Sequence, residues 1–471
     1  MVFSSTTFLF AFLPLVLLGH ALLKGIPARN AFLLIFSLLF YAWGEGWGIG
    51  LMLLSISINY ASGLLIENQP HRKRQWLAIA LAINLALLMG FKYANFLVDN
   101  LNALFQWGDF PTIYLAPVHL PVGISFFTFQ ALSYVVDVYR GETPAQRNPL
   151  RVALYISLFP QLIAGPIVRY VDVREQMAQR RVGLDNFALG IERFIVGLAK
   201  KILLADTLGY VADKLFEAPV EALGPSAAWL GIICYSFQIY FDFSGYSDMA
   251  IGLGRMLGFH FLENFKFPYF ATSIQDFWRR WHISLSTWFR DYLYIPLGGN
   301  RLGEARTFAN LLIVFFLCGL WHGASWSFVV WGLFHGIFLI IERTAWGRLL
   351  QQLPQPVRHA YVILVVLTGW VFFRADNLAH ALAYLKAMTG WNVASTHHAG
   401  LYLNAEIILT LLAAAFLSLP YYARLAARIE APAFGLQWPR QLHRFALICL
   451  FSLSLITLIN STYNPFIYFR F

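Results

Sequence analysis

An all-α polytopic membrane protein is the fold class the sequence predicts, and three observations predict it. The 471 residues are 59% hydrophobic and only 12% charged, whereas a soluble domain carries about 25% charged residues. Several apolar windows approach or reach the roughly 20 residues a helix needs to cross a bilayer. In the middle third of the chain, polar residues and helix breakers interrupt those windows repeatedly, which marks where chemistry should be sought.

Taken in order, the apolar windows are 7–23, 31–43, 48–65, 76–96, 227–243, 311–341, 360–373, 407–419 and 445–459. They predict roughly ten crossings with shorter elements that enter without crossing. The first window has no basic region before it and no small-residue cleavage site ahead of Lys24, so it reads as a retained helix rather than a secretory signal. Residues 159–166 break an apolar run at Pro160, Gly165 and Pro166. Such backbone survives at membrane depth only when buried in protein or lining a wet cavity, so a re-entrant element is expected. Leu184, Phe187, Ile191, Phe194, Leu198 and Ile202 keep helical spacing, with Asp185, Glu192, Arg193, Lys200 and Lys201 as their polar complement. This predicts an amphipathic helix along the membrane interface. No linker, low-complexity tract or fixed-period repeat divides the sequence, so one membrane domain over 1–471 is expected, with the chemistry within 121–336.

The formal net charge of +10 points to a membrane surface rather than to nucleic acid. Basic residues gather in short connections, His71 to Arg74 and Arg169 to Arg181, as loops do when they face the cytoplasm and anionic lipid. Cys234, Cys318 and Cys449 are widely spaced in apolar runs. They predict packing residues, with neither a disulfide framework nor a metal site.

Three segments could carry chemistry. The stretch 276–296 is too polar to span lipid. Read as one helix, it places Trp278, Trp281, Leu285, Trp288 and Tyr292 on one side and Arg279, His282, Ser286 and Arg290 on another. An interfacial helix with snorkelling arginines would share this pattern; the alternative is the wall of a polar cavity. Trp321-His322-Gly323 puts a histidine deep in an apolar run, where an ionisable group needs a partner or a task. Gly319 and Gly323 beside it permit a close helix approach or a bend. His335 repeats the pattern thirteen residues on; an unbroken helix turns about 1300° over that distance, which sets the two rings on opposite sides. We read His335 as structural. Asp242, Ser244, Tyr246 and Asp248 interrupt the window that begins at Ala227, as the wall of a cavity or as paired structural carboxylates.

Walker A, G-x-S-x-G and H-E-x-x-H signatures are absent, and none of the 12 histidines has an aspartate four or five residues later. A histidine general base remains the economical idea, because an imidazole pKa near neutrality suits proton removal from a hydroxyl.

Several motifs together resemble one family. They are Met1-Val2-Phe3-Ser4-Ser5, Phe40-Tyr41-Ala42-Trp43, Pro121 to Gln130, Ala164-Gly165-Pro166-Ile167, Phe241 to Met249, Phe277 to Ser286 and Trp321-His322-Gly323. The chain is similar to the AlgI branch of the membrane-bound O-acyltransferase superfamily, from residue 1 to about Arg374 and more weakly beyond. The resemblance implies a ring of tilted helices around a central funnel, with His322 as the catalytic histidine and His282 as the second active-site histidine. Arg279, Ser286, Arg290, Asp242, Ser244, Tyr246, Asp248 and Trp321 are the candidates for lining a substrate channel. It further implies a bacterial inner-membrane location and no tightly bound cofactor. Acetyl-CoA or another acyl thioester would arrive from the cytoplasm as donor, an exported SGNH-type partner would assist, and a polysaccharide would accept. Alginate, cellulose and peptidoglycan are not separated by these residues. A solute or acetyl transporter is the rival from another class, since broken helices with mid-membrane charges also describe carriers; a non-catalytic scaffold of a secretion complex is a third. For the enzyme, the segments bearing Asp242, His282 and His322 are expected to converge on one cavity, with the two histidines within about 15 Å.

Overall fold

A computed structural model describes residues 1–390, 395–421, 438–461, 463 and 465. Helix is the dominant structure, and among the described residues the one extended pairing is an isolated bridge between Leu223 and His397. The protein is an all-α polytopic membrane protein. Five described helical stretches are long and apolar enough to cross a bilayer: Ile26–Asn68, Pro70–Trp107, Glu304–His322, Gln355–Arg374 and Gln441–Asn460. Trp326–Ile341 with Ala345–Gln352, bent by 75°, makes a sixth if taken as one span. These are fewer than the ten crossings expected. Windows 31–43 and 48–65 lie in one continuous stretch, and Phe8–Leu22 and Ala405–Leu417 are short.

The chain packs as two compact units, Met1–Ile191 with Ala250–Leu262, and Glu192–Met249 with Glu263–Phe471. This subdivision carries no linker signature because two of its boundaries fall inside helices, Leu184–Ala199 and Pro225–Met256.

In the first unit, Phe3, Phe8, Phe12, Phe40 and Phe159 form one aromatic cluster with ring centroids 4.9–6.4 Å apart. Asn59 and Asn84 exchange amide hydrogen bonds of 3.0 Å between two apolar helices, which satisfies polar groups that lipid could not. Residues 159–166 form a short helix, Phe159–Leu162, and an irregular segment, all buried. The Phe159 amide donates to Ser37 Oγ at 3.1 Å and Gln161 Nε2 to the Tyr155 carbonyl at 2.6 Å. Protein groups thus meet part of the polar demand of the broken backbone.

In the second unit, Asp242 and Asp248 of the 32-residue helix Pro225–Met256 join a buried charge cluster. Lys201 Nζ lies 2.7 Å from Asp206 and 2.8 Å from Asp242, and Asp248 pairs with Arg193 at 2.6 Å and Lys200 at 2.7 Å. Of the polar complement of the 184–202 pattern, Arg193, Lys200 and Lys201 therefore dock on another helix instead of facing solvent along the interface, while Asp185 stays exposed. A π-helical segment, Lys200–Asp206, sits where these lysines pair; its extra residue per turn locally re-aims side chains.

Glu304–His322 and Trp326–Ile341 form a tight helical pair. A Cβ added at Gly319 would strike the Phe328 carbonyl oxygen, and one at Gly332 the Phe315 carbonyl oxygen, so the two backbones approach as only small residues allow. Gly323, extended at φ −167°, ends the first helix directly after His322, and the Ser325 side chain caps the second by accepting from the Ser327 amide. The two glycines beside His322 thus do different work, one admitting a neighbour and the other making the bend.

Candidate functional site

The stretch expected as one helix over 276–296 is two helices, Ile274–Arg280 and Ile283–Phe289, followed by a π-helical turn, Arg290–Tyr294. Trp281 is extended, and His282 adopts the left-handed conformation with φ 43° and ψ 56°. A non-glycine residue there is strained by about 1–3 kcal/mol and persists only where its surroundings over-determine it. Here the segment around Asn264 does so. The Lys266 amide donates to the Arg280 carbonyl at 3.0 Å, and the Ile283 amide to the Asn264 carbonyl at 2.9 Å. The Asn264 side-chain oxygen accepts from the Ser284 amide at 3.1 Å and from Ser284 Oγ at 2.9 Å, and lies 3.2 Å from His282 Nδ1. Sequence reasoning did not single out Asn264, which has no helical register or motif to announce it.

His282 is 1% exposed. Phe243 meets its ring edge-on at 4.6 Å, and Trp321 does so at 6.1 Å. Burial alone pushes its pKa down to about 3, so the ring is neutral near pH 7. Its Nε2 makes no hydrogen bond within the described protein.

His322 closes its helix inside an aromatic box, with ring centroids 4.9 Å from Trp321, 5.0 Å from Trp331 and 5.1 Å from Phe373. Trp321 therefore contacts both histidines. Their separation cannot exceed the 6.1 Å and 4.9 Å steps placed end to end, inside the limit of about 15 Å set for groups serving one reaction. His335 does not lie on the opposite side from His322. The helix is broken between them, and His335 packs on the same Trp331 at 5.3 Å. It is fully buried, and neither ring nitrogen makes a hydrogen bond among the described residues.

A cavity of about 900 Å³ adjoins this cluster. Exposed Arg279, Arg290 and Arg343 with half-buried Arg358 give it a basic rim, while Leu311, Val314, Phe315, Cys318 and Leu339 line it with apolar surface. Trp278 forms part of the wall and touches Trp331 and His335 at centroid distances of 5.8 Å and 5.3 Å. Cys318 lies four residues before His322 on one helix, so the cavity ends about one turn from that imidazole.

The expected site residues thus separate into groups. Arg279, Ser286 and Arg290 border the cavity; His282, at the break between their helices, and His322 are not among its lining residues. Trp321 bridges the histidines. Asp242 and Asp248 are held in ion pairs, and Ser244 and Tyr246 are buried in the same helix without bordering the cavity. The segments bearing Asp242, His282 and His322 meet, since Phe243 and Trp321 both contact His282, but none of these three residues borders the cavity. The carboxylates' geometry fits charge compensation for Lys201, Lys200 and Arg193. Among the described residues no cluster of three or more His, Cys, Asp or Glu could hold a metal ion.

Comparison with known proteins adds to this geometry. The family model of MBOAT, the membrane-bound O-acyltransferase family, matches residues 49–380. A probable alginate O-acetylase AlgI of Pseudomonas putida is 44% identical over 100% of both chains. A peptidoglycan O-acetyltransferase of Helicobacter pylori is 40% identical over 84% of this chain and 81% of its own. A teichoic acid D-alanyltransferase of Bacillus subtilis is 26% identical over 59% of this chain and 75% of its own.

Proposed function

The chain belongs to the membrane-bound O-acyltransferase family, and from that premise we propose that it moves an acetyl group from a cytoplasmic thioester donor to hydroxyls of an exported, alginate-type polysaccharide. The observation that carries the reading is the cavity with an arginine rim and an apolar interior that ends one helical turn from His322. A phosphate-bearing thioester such as acetyl-CoA suits both ends. Guanidinium groups recognise phosphate, and the apolar wall accommodates the acyl arm. An arginine-rich mouth also fits a cytoplasmic opening in an inner-membrane protein.

In the proposed step His322 is the general base. The acceptor oxygen attacks the thioester carbonyl, the new C–O bond forms as the C–S bond breaks, and the hydroxyl proton passes through His322 to the departing thiolate. An exported SGNH-type partner would deliver the group to the polymer. Peptidoglycan is the second acceptor reading, favoured by the 40% identity to the Helicobacter pylori enzyme.

The test is reconstitution of the purified protein with radiolabelled acetyl-CoA, asking whether label reaches polymer or partner. His322→Ala is expected to abolish most transfer while membrane expression stays normal, since general-base help is worth about 10²–10⁴-fold. Wild-type transfer by that variant would sink the assignment.

A further inference from the structure

We propose that Asn264 is the positioning residue of His282, holding the imidazole as its Nδ1–H tautomer so that Nε2 accepts a hydrogen bond from a hydroxyl of the acceptor. The inference rests on the acyltransferase reading above and deepens it, because it gives His282 a task distinct from proton abstraction at His322.

The orientation of the Asn264 amide is settled by its contacts. A backbone N–H can only donate, so the Asn264 atom 3.1 Å from the Ser284 amide is the oxygen. That same oxygen lies 3.2 Å from His282 Nδ1, which must then carry the ring proton to make a bond rather than a repulsion. A neutral imidazole has one N–H, so Nε2 is left as a lone pair. The left-handed backbone at His282 serves this contact. It is held by the Ile283 amide on the Asn264 carbonyl at 2.9 Å, so one residue fixes both the main chain and the tautomer.

Two buried polar atoms of this pair, His282 Nε2 and Asn264 Nδ2, make no hydrogen bond within the described protein. One is an acceptor and the other a donor. They sit at opposite ends of the Asn264–His282 contact, so Nε2 by itself is the acceptor left for a hydroxyl of the acceptor molecule. In this tautomer Nε2 has no proton to offer a developing oxyanion, so a role in stabilising negative charge does not fall to His282.

The tautomer is tested directly by ¹⁵N magnetic resonance of histidine-labelled protein, with the His282 signals identified by their loss in His282→Gln. Protonated Nδ1 and bare Nε2 are expected; the reverse assignment overturns the proposal without any change at Asn264. The function is tested by a double-mutant cycle on label transfer from acetyl-CoA to polymer in membranes holding the complete system. Asn264→Ala and His282→Gln should each lower kcat/KM by about tenfold, as expected for one lost hydrogen bond, and the double variant should be no worse than the poorer single. Multiplied losses overturn it, as does an unimpaired His282→Gln. Should Asn264→Ala fail to accumulate, the near-isosteric Asn264→Leu, which also lacks the accepting oxygen, carries the same cycle. Retained transfer in His322→Ala would instead strike the acyltransferase reading, so the two failures are distinguishable.

Discussion

At the scale of single residues, the two histidines differ in what holds them. His322 is boxed by aromatic rings at the end of a helix, and its placement depends on Gly323 ending that helix. His282 is placed by strained backbone and by Asn264. Replacing His282 should lower acetyl transfer more than replacing His397 or His398, whose surroundings lie away from this cluster; equal losses at all three, read by the same radiolabel assay, would assign the effect to folding. His335 shares Trp331 with His322, so its truncation is expected to be felt at the His322 imidazole proposed as general base. His335→Ala should lower kcat while leaving donor KM near its wild-type value, because it does not border the cavity.

At the scale of elements, the pairing of Glu304–His322 with Trp326–Ile341 is set by backbone contact at Gly319 and Gly332. A side chain at either position meets a carbonyl oxygen and forces the helices apart. Gly332→Val is therefore expected to cost about 1–3 kcal/mol or more through overpacking, measured as a lower midpoint of thermal unfolding in detergent, with loss of activity following from displacement of His322. The basic rim is an element-level device too, since Arg279 and Arg290 come from helices on the two sides of the His282 break and Arg343 from the bend after Trp326–Ile341. Arg279→Ala and Arg290→Ala should raise the KM for acetyl-CoA more than they lower kcat, and more at low than at high ionic strength, because screening weakens exposed charge contacts. An unchanged KM in both would remove the cavity from the donor path.

At the scale of the whole molecule, burying this many charges within a mostly apolar chain requires compensation, and the Lys201 cluster supplies it. Lys201 is 2% exposed and has Asp206 and Asp242 within 2.8 Å. Removing one partner of a buried pair leaves an uncompensated charge and typically costs about 3–5 kcal/mol. Asp242→Asn should thus lower thermal stability and membrane abundance; full stability with loss of activity alone would return Asp242 to the channel.

The sequence by itself determined the membrane class, the retention of polar chemistry in the middle third and the two histidines worth testing. These follow from composition and from isolated ionisable residues in apolar runs, because lipid penalises such residues wherever they fall in the fold. It also located Gly319 and Gly323 as points of close helix approach or bending around His322. Only the tertiary structure decided that the 276–296 stretch breaks at His282, that His322 and His335 share Trp331, and that Asp242 and Asp248 neutralise lysines and an arginine instead of lining the cavity. The break and the ion pairs depend on partners from other segments of the chain: Asn264 for His282, Lys201 for Asp242, Arg193 and Lys200 for Asp248. Helical periodicity reports the face a residue would occupy on an uninterrupted helix. It is silent on a left-handed residue that a hydrogen-bonding neighbour holds in place, and on which of several buried charges will meet.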